Sequence, residues 1–198
     1  MNIYDEMYEG VEWHCSSASK TLGSLLPPLM IALSARTVIS IGIANSFTEQ
    51  VLAAGFRAMK EAGLVQDPLV LACDINEACC AVARDRLTAA GVEHDVICAD
   101  SAEVFWAAVL ERHGRTSAEI CIIDGDHSYE AVMSDLTLCA CVCSGLMLCH
   151  DYWQLEKGNV RAIDEFAERE GWNVLRFLDQ RVTHDYPFAI LQRRPPNA

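Results

Sequence analysis

The sequence has no apolar run of the roughly 18–20 residues that a membrane-spanning helix needs. The best candidate, Leu25–Ala35, is short and contains Pro27 and Pro28. The acidic N-terminus also lacks the basic and then apolar pattern of a secretory signal. We therefore expect a cytoplasmic protein that does not enter the membrane.

Positive charge is scarce. The sequence carries 15 Lys and Arg residues against 28 Asp and Glu residues, which gives a formal net charge of −13. Apart from Arg193 and Arg194 near the C-terminus, the basic residues do not cluster. Such a surface repels phosphate backbones and anionic lipids, so nucleic acid and membranes are excluded as expected partners.

None of the ten cysteines forms a Cys-x-x-Cys pair, the spacing typical of structural zinc sites. Cys73, Cys98, Cys121 and Cys149 each lie in an apolar, strand-like run, where a free cysteine packs as a small hydrophobic residue. A cytoplasmic location disfavours disulfides. We predict free packing thiols and no zinc site.

Hydrophobic residues make up 52% of the 198 residues, enough for one domain with a sizeable core. We predict a single domain, with an irregular segment at 1–35 before an α/β core at 36–195. The predicted strands are Thr37–Ile43, Leu69–Ile75, His94–Ala99, Glu119–Ile123, Gly145–Cys149, Trp172–Leu178 and Phe188–Gln192. The predicted helices are Ser46–Ala62, Asn76–Ala90, Ser101–His113, Ser128–Val142 and Asn159–Glu170.

Strands that alternate with helices indicate parallel pairing with right-handed crossovers. The last two strands are joined by a turn around Thr183–Pro187 without a helix, so we expect them to pair antiparallel. The pattern predicts a mostly parallel seven-stranded sheet with a C-terminal hairpin. Ligands of such sheets bind at the carboxyl ends of the strands.

The first three strands end in residues suited to a nucleoside. Gly42 permits a tight turn and close approach of a ligand. The Asp74 carboxylate offers two oxygens to ribose hydroxyls, and Asp100 with Ser101 would meet an amine such as that of adenine. Both acids would also serve as helix N-caps. No G-x-G-x-x-G is present, and Asp74 follows Gly42 by 32 residues, against about 20 for the dinucleotide fingerprint.

The fourth and fifth strands end in Asp124-Gly-Asp-His127 and in His150-Asp151. Neighbouring strand ends would bring Asp124 and Asp151 to one hard cation. His127 is placed to act as a base, because histidine titrates near neutral pH. Alternatively, both acids only bind loop amides and His127 is a surface residue.

These segments resemble a known superfamily. SIGIANSFT resembles the first motif, E-x-G-x-x-x-G, of class I S-adenosylmethionine-dependent methyltransferases. IIDGDHSYEAVMSDL, GLMLCHDYW and VRAIDEFA resemble the branch with macrocin- and rhamnosyl-type sugar O-methyltransferases and cephalosporin-hydroxylase-like proteins. The resemblance covers roughly residues 35–195 and implies a Rossmann-like fold with helices on both faces of the sheet.

The resemblance also implies roles for individual residues. Gly42 matches the glycine beside the methionine part of the cofactor, Asp74 the ribose-binding acid, and Asp100 with Ser101 the adenine-side pair. The cofactor-binding set it implies is Gly42, Asn45, Asp74, Ile75, Asp100, Ser101 and Asp124.

The implied metal ligands are Asp124 and Asp151, which match the acids that hold Mg²⁺ in metal-dependent members, together with His150. His127 matches the base. Three positions depart from the family. Ser40 replaces the motif-one acid, Ser46 replaces its second glycine, and His150 stands where an acid often precedes the second metal aspartate.

The implied activity is metal-assisted methyl transfer from S-adenosylmethionine to a hydroxyl of a small molecule, a sugar or natural product. We expect substrate contacts from Tyr8, Trp13 and His14 and from the Tyr152–Gly158 loop, which includes Trp153. The N-terminal segment needs cover, which favours a homodimer. The alternatives are an NAD-dependent oxidoreductase and a non-catalytic module that has kept the fold.

Overall fold

The computed structural model describes residues 20–44, 46–114, 116–152, 158–177 and 187–195. The helices are α1 (Lys20–Ala32), α2 (Phe47–Glu61), α3 (Glu77–Ala89), α4 (Trp106–His113), α5 (Tyr129–Val142) and α6 (Asn159–Glu170). The strands are β1 (Thr37–Ile41), β2 (Leu69–Asp74), β3 (Glu93–Cys98), β4 (Ala118–Ile123), β5 (Cys143–Cys149), β6 (Trp172–Phe177) and β7 (Phe188–Arg193).

The strands form one sheet in the order β3-β2-β1-β4-β5-β7-β6. The first five strands in this order pair in parallel, whereas β7 runs antiparallel to both β5 and β6. The seven strands and the C-terminal hairpin predicted from the sequence are thus confirmed. The strand order reverses between β1 and β4, which opens a crevice at their carboxyl ends.

The central strands are apolar because both of their faces are covered. One face packs against α1, α2 and α3, with Phe56 and Val70 in its core. The other face packs against α4, α5 and α6, with Leu71 and Phe166 in its core. This arrangement confirms the prediction of helices on both sides of the sheet.

The helix α1 corrects the prediction of an irregular segment before β1. Pro27 and Pro28 lie inside it, and each removes a main-chain hydrogen bond. The helix persists because Leu26 and Met30 are almost fully buried. Met30 packs so closely on Gly55 of α2 that a Cβ there would lie 3.0 Å from its sulfur. Tertiary packing therefore outweighs the local cost of the prolines.

Some element boundaries also differ from those predicted. Ile43 and Ile75 lie just beyond the ends of β1 and β2, in the loops that follow. The helix predicted from Ser101 begins with a π-helical turn over Ser101–Phe105 and continues into α4. In this turn Val104 and Phe105 both donate their main-chain N–H to the carbonyl of Asp100.

The nine cysteines that the structure describes are free thiols, and six of them are buried. Cys121 and Cys149, for example, lie in the core between the sheet and α5, where they act as the small hydrophobic residues predicted. Within the described ranges, no helix combines the length and the apolar character needed to cross a membrane.

Candidate active site

A cavity of about 920 Å³ opens at the carboxyl ends of the five parallel strands. Tyr152 and Gly158, the ends of the loop expected to contact the substrate, do not line it. The cavity does bring together the other described residues that the sequence nominates for binding or catalysis. These are Gly42, Asp74, Ile75, Asp100, Ser101, Asp124, His127, His150 and Asp151. Asn45, Tyr8, Trp13, His14 and Trp153 lie outside the described residues.

The described residues of the loop after β1, 42–44 and 46, have an unusual backbone, and Gly42 and Ala44 line the cavity. Gly42, Ala44 and Ser46 adopt positive φ angles of 84°, 43° and 58°. At Gly42 an added Cβ would lie 2.0 Å from the main-chain oxygen of Asp124. The glycine therefore lets the ends of β1 and β4 meet, which no side chain would permit.

We expect Gly42→Ala to lower the free energy of unfolding by about 2–4 kcal/mol, because strain at positive φ adds to a clash with rigid main chain. Denaturant unfolding measures this effect. Gly63→Ala is the matched control. Gly63 also has a positive φ, 69°, but no atom lies within 4 Å of its added Cβ. Equal losses in both variants would show that the close approach to Asp124 is unimportant.

Asp74 ties this loop to β2. Its carboxylate accepts the main-chain N–H of Ile43 at 2.8 Å, of Ala44 at 3.0 Å and of Asn76 at 2.8 Å. The N-cap of α3 is Asn76, not Asp74. Two carboxylate oxygens have about four acceptor sites, so capacity remains for a hydroxyl from the cavity side.

Ser101 is held by an acid that the sequence analysis missed. Its Oγ donates to Asp135 Oδ1 at 2.7 Å. Asp135 is 1% exposed and lines the cavity. Burial raises the pKa of Asp135 to about 6, although the bond from Ser101 opposes the shift. The signal in the sequence is an acid on the apolar face of α5, beside Val132 and Leu136.

Two acids and two histidines meet at the ends of β4 and β5. These strands pair in parallel with Ile123 opposite Cys149, so the residues that follow are neighbours. His150 Nδ1 lies 3.0 Å from Asp124 Oδ1 and 3.3 Å from Asp151 Oδ1. His127 Nε2 lies 3.4 Å from Asp151 Oδ2 and 3.8 Å from Asp124 Oδ1.

This acid–histidine cluster favours the charged carboxylate form. Burial by itself would raise the pKa of Asp124, but His150 and His127 outweigh it, and the pKa lies below its ordinary value. Ligand atoms of Asp124, His150 and Asp151 all lie within 4.8 Å of one another. That set of two carboxylates and an imidazole has the chemistry to hold one divalent cation.

The alternative roles for these residues fit the structure less well. The loop after β4 is held by Asp126, whose carboxylate accepts the main-chain N–H and the hydroxyl of Ser128 at 3.2 and 2.8 Å. The His127 side chain is 19% exposed and lines the cavity, so it is not a surface residue.

Glu77, Cys80 and Cys98 form a second group of three ligand atoms within 4.8 Å. The side chains of this second group already form an ion pair or hydrogen bonds with other residues. Arg84 Nη1 lies 2.6 Å from Glu77, and each thiol donates to a main-chain carbonyl 3.5 Å away. The absence of a zinc site stays a prediction.

Ser40, at the position of the motif-one acid, contacts another acid that the sequence analysis missed. Its Oγ donates to Glu49 Oε1 at 2.7 Å, and both residues are fully buried. Glu49 lies in the first turn of α2. The signal in the sequence that would have identified Glu49 is a Glu at the start of the helix that follows a motif without its own acid.

Neither a protein-family model nor a curated protein sequence matches the chain. Solved structures do resemble it. The O-methyltransferase from Bacillus cereus in complex with S-adenosylhomocysteine has a TM-score of 0.68 and 15% identity, over 97% of this chain and 88% of its own.

Two further structures come from biosynthetic enzymes. TomG from Streptomyces achromogenes, an O-methyltransferase of tomaymycin synthesis in complex with S-adenosylmethionine, has a TM-score of 0.68 and 14% identity, over 98% of this chain and 89% of its own. CalS11, a TDP-rhamnose 3'-O-methyltransferase of calicheamicin biosynthesis, has a TM-score of 0.62 and 14% identity, over 85% and 77%.

Identities this low establish the fold rather than the activity. The mixed seven-stranded sheet, its antiparallel end and the position of the cavity agree with that fold. The chain thus has the Rossmann-like fold of the class I S-adenosylmethionine-dependent methyltransferases.

Proposed function

We propose that this protein is an S-adenosylmethionine-dependent O-methyltransferase that acts on a hydroxyl of a small molecule. The observation that carries the proposal is the convergence of the nucleoside-side residues and the acid–histidine cluster on one cavity. An adenosyl site and a proton-accepting site in a single cavity are what methyl transfer to a hydroxyl requires.

The β1–β3 end of the cavity suits the cofactor. Gly42 would contact the methionine part through its main chain, Asp74 would bind the ribose, and Asp100 with Ser101 would bind the adenine. Ile75 is 78% exposed and lines the same cavity, so it offers an apolar surface to the base. The loop after β1 lacks the G-x-G-x-x-G sequence that binds a dinucleotide pyrophosphate, which disfavours the NAD-dependent oxidoreductase.

The β4–β5 end suits the acceptor. His127 would accept the hydroxyl proton as the oxygen attacks the methyl carbon, and Asp151 would orient and stabilise the resulting imidazolium. Methyl transfer needs the oxygen, the carbon and the sulfur in line, so positioning supplies much of the rate. Because CalS11 acts on a TDP-rhamnose, we propose a sugar or similar polyhydroxylated compound as the acceptor.

We also propose a divalent cation at Asp124, His150 and Asp151. When bound, it would lower the pKa of the acceptor hydroxyl. The three ligand atoms fit this role because they lie close together and one carboxyl is held in its charged form. The imidazole of His150 broadens the choice of metal from Mg²⁺ to ions that accept nitrogen, such as Mn²⁺.

The remaining proposals concern parts that the structure does not describe. We propose that Tyr8, Trp13 and His14 and the loop with Trp153 contact the acceptor. A homodimer and the absence of nucleic-acid and membrane partners remain predictions.

Cofactor binding tests the proposal directly. S-adenosylmethionine and S-adenosylhomocysteine should bind in calorimetry, and NAD should not. We expect Asp74→Ala to weaken S-adenosylhomocysteine binding by about 1.5–3 kcal/mol, because the variant loses a hydrogen bond to a charged group and releases the loop.

Asp67→Ala is the control, because this exposed acid precedes the opposite end of β2. It should bind the cofactor as the wild type does. Tight NAD binding without a response to either sulfur cofactor would contradict the proposal in favour of the oxidoreductase. Cofactor binding without turnover of any hydroxyl acceptor would favour the non-catalytic module.

A further inference from the structure

The buried acid Glu49 has no role in the site described so far. Its residue exposure is 0%, and only one of its carboxylate oxygens, Oε1, receives the hydroxyl of Ser40. Among the described residues, Oε2 accepts no hydrogen bond. A buried carboxylate with an unused oxygen is costly, so its retention calls for a function.

The position of Glu49 points to that function. Ser40 lies two residues before Gly42, and Glu49 lies in the first turn of α2, the helix that follows the loop after β1. The carboxylate is therefore hydrogen-bonded to the strand that leads into the loop that the methionine part of the cofactor would contact. Glu49 does not line the cavity itself, so any effect on a ligand acts through the electric field and through the loop.

We infer that Glu49 replaces the acid that Ser40 lacks in motif one, and that its negative charge stabilises the ammonium and sulfonium groups of S-adenosylmethionine. This inference rests on the proposed function. It makes Glu49 a positioning residue, because it acts from behind the loop. S-adenosylmethionine carries an ammonium, a sulfonium and one carboxylate, so its net charge is positive and a negative charge close to its cationic groups lowers the energy of the complex.

The surroundings of Glu49 determine when this charge is present. Burial, together with the charge of Asp124 at the end of β4, raises the pKa of Glu49 to about 7, although Ser40 and Arg86 of α3 oppose the increase. Arg86 also donates to the main-chain oxygen of Ser46, so it links this acid to the loop. Burial raises the pKa of the Cys79 thiol on α3, and the charge of Glu49 contributes to that increase.

A bound cation favours the ionised form of Glu49. Cofactor binding should therefore release part of a proton near pH 7, and the affinity for the cofactor should rise as the pH increases through that range. At lower pH the carboxyl of Glu49 is protonated in a large fraction of the cofactor-free molecules. Cofactor binding must then release this proton to the solvent.

Glu49→Gln tests the inference because the amide still accepts the hydroxyl of Ser40 but carries no charge. We expect calorimetry at pH 8 to show roughly 5–30-fold weaker binding of S-adenosylhomocysteine, the scale of one charge several ångströms from an ammonium group. 5′-Methylthioadenosine, which has no amino-acid part, should bind both proteins equally. Proton release, read from the buffer dependence of the enthalpy, should fall in the variant.

An exchange variant supplies the matched control. Ser40→Glu combined with Glu49→Ser moves the acid to the motif-one position and should restore most of the affinity for S-adenosylhomocysteine. If Glu49→Gln fails to fold, proton release and the pH dependence of the wild type still test the inference, and a wild type that releases no proton overturns it.

The outcomes separate the two proposals. Equal loss of affinity for S-adenosylhomocysteine and 5′-methylthioadenosine, or no loss for either, would show that Glu49 is only structural. A wild type that binds neither sulfur cofactor would overturn the proposed function itself.

Discussion

His127→Ala is expected to lower kcat by roughly 10²–10⁴-fold, the usual contribution of a general base. The ring lies in the cavity, 3.4 Å from the carboxylate of Asp151, which is placed to orient it and to stabilise its charged form. Conversion of S-adenosylmethionine, measured with a panel of glycosides and other small hydroxyl compounds, provides the assay.

This test distinguishes an effect on cofactor binding from an effect on the methyl-transfer step. S-adenosylhomocysteine affinity should stay within about 3-fold of the wild type, because a base contributes to the transition state and not to cofactor binding. His113→Ala is the control, since His113 pairs with Asp95 at 3.3 Å, away from the cavity. Unchanged kcat in His127→Ala would assign the proton to another group, whatever the metal result.

Removal of divalent cations is expected to lower turnover by more than about 100-fold while cofactor affinity stays nearly intact. The reason is spatial. Asp124, His150 and Asp151 lie at the β4–β5 end of the cavity, whereas Asp74 and Asp100 lie at the β2–β3 end. Chelation followed by re-addition of Mg²⁺ or Mn²⁺ measures the effect, with cofactor binding followed in parallel.

Substitutions of the ligands sharpen the metal test. Asp151→Ala should reproduce the chelated state, and Asp67→Ala should not. His150→Asp supplies the acid that often stands at this position in the family, so we expect it to shift the preference from Mn²⁺ toward Mg²⁺. Full activity in excess chelator would refute the metal role and leave Asp124 with a part in cofactor binding alone.

Several features of the fold follow from local sequence pattern. β1, β2, β4 and β5 are apolar runs, and the helices α2, α3 and α6 end near Gly63, Gly91 and Gly171. Parallel pairing then places all five carboxyl ends at one edge of the sheet, whatever the order of the strands. For this reason Gly42, Asp74, Asp100, Asp124 and Asp151 could be nominated together before any contact was known.

The sequence did not predict α1, because Pro27 and Pro28 argue against a helix by every local rule. The helix exists because of contacts with α2, and contacts between elements leave no local signature. The same reason explains the missed acids. Asp135 and Ser101 lie 34 positions apart, and their meeting depends on how α5 is rotated against the sheet.

The sequence by itself determined the fold class, the edge of the sheet that carries the site and the chemistry available there. These follow from the period of apolar residues and from the residue types at strand ends. Only the tertiary structure decided the partners: Asp74 with the loop after β1, Ser40 with Glu49, and both histidines with Asp124 and Asp151. Residue periodicity reports which face of an element is buried, whereas the side chain that meets it depends on how whole elements pack.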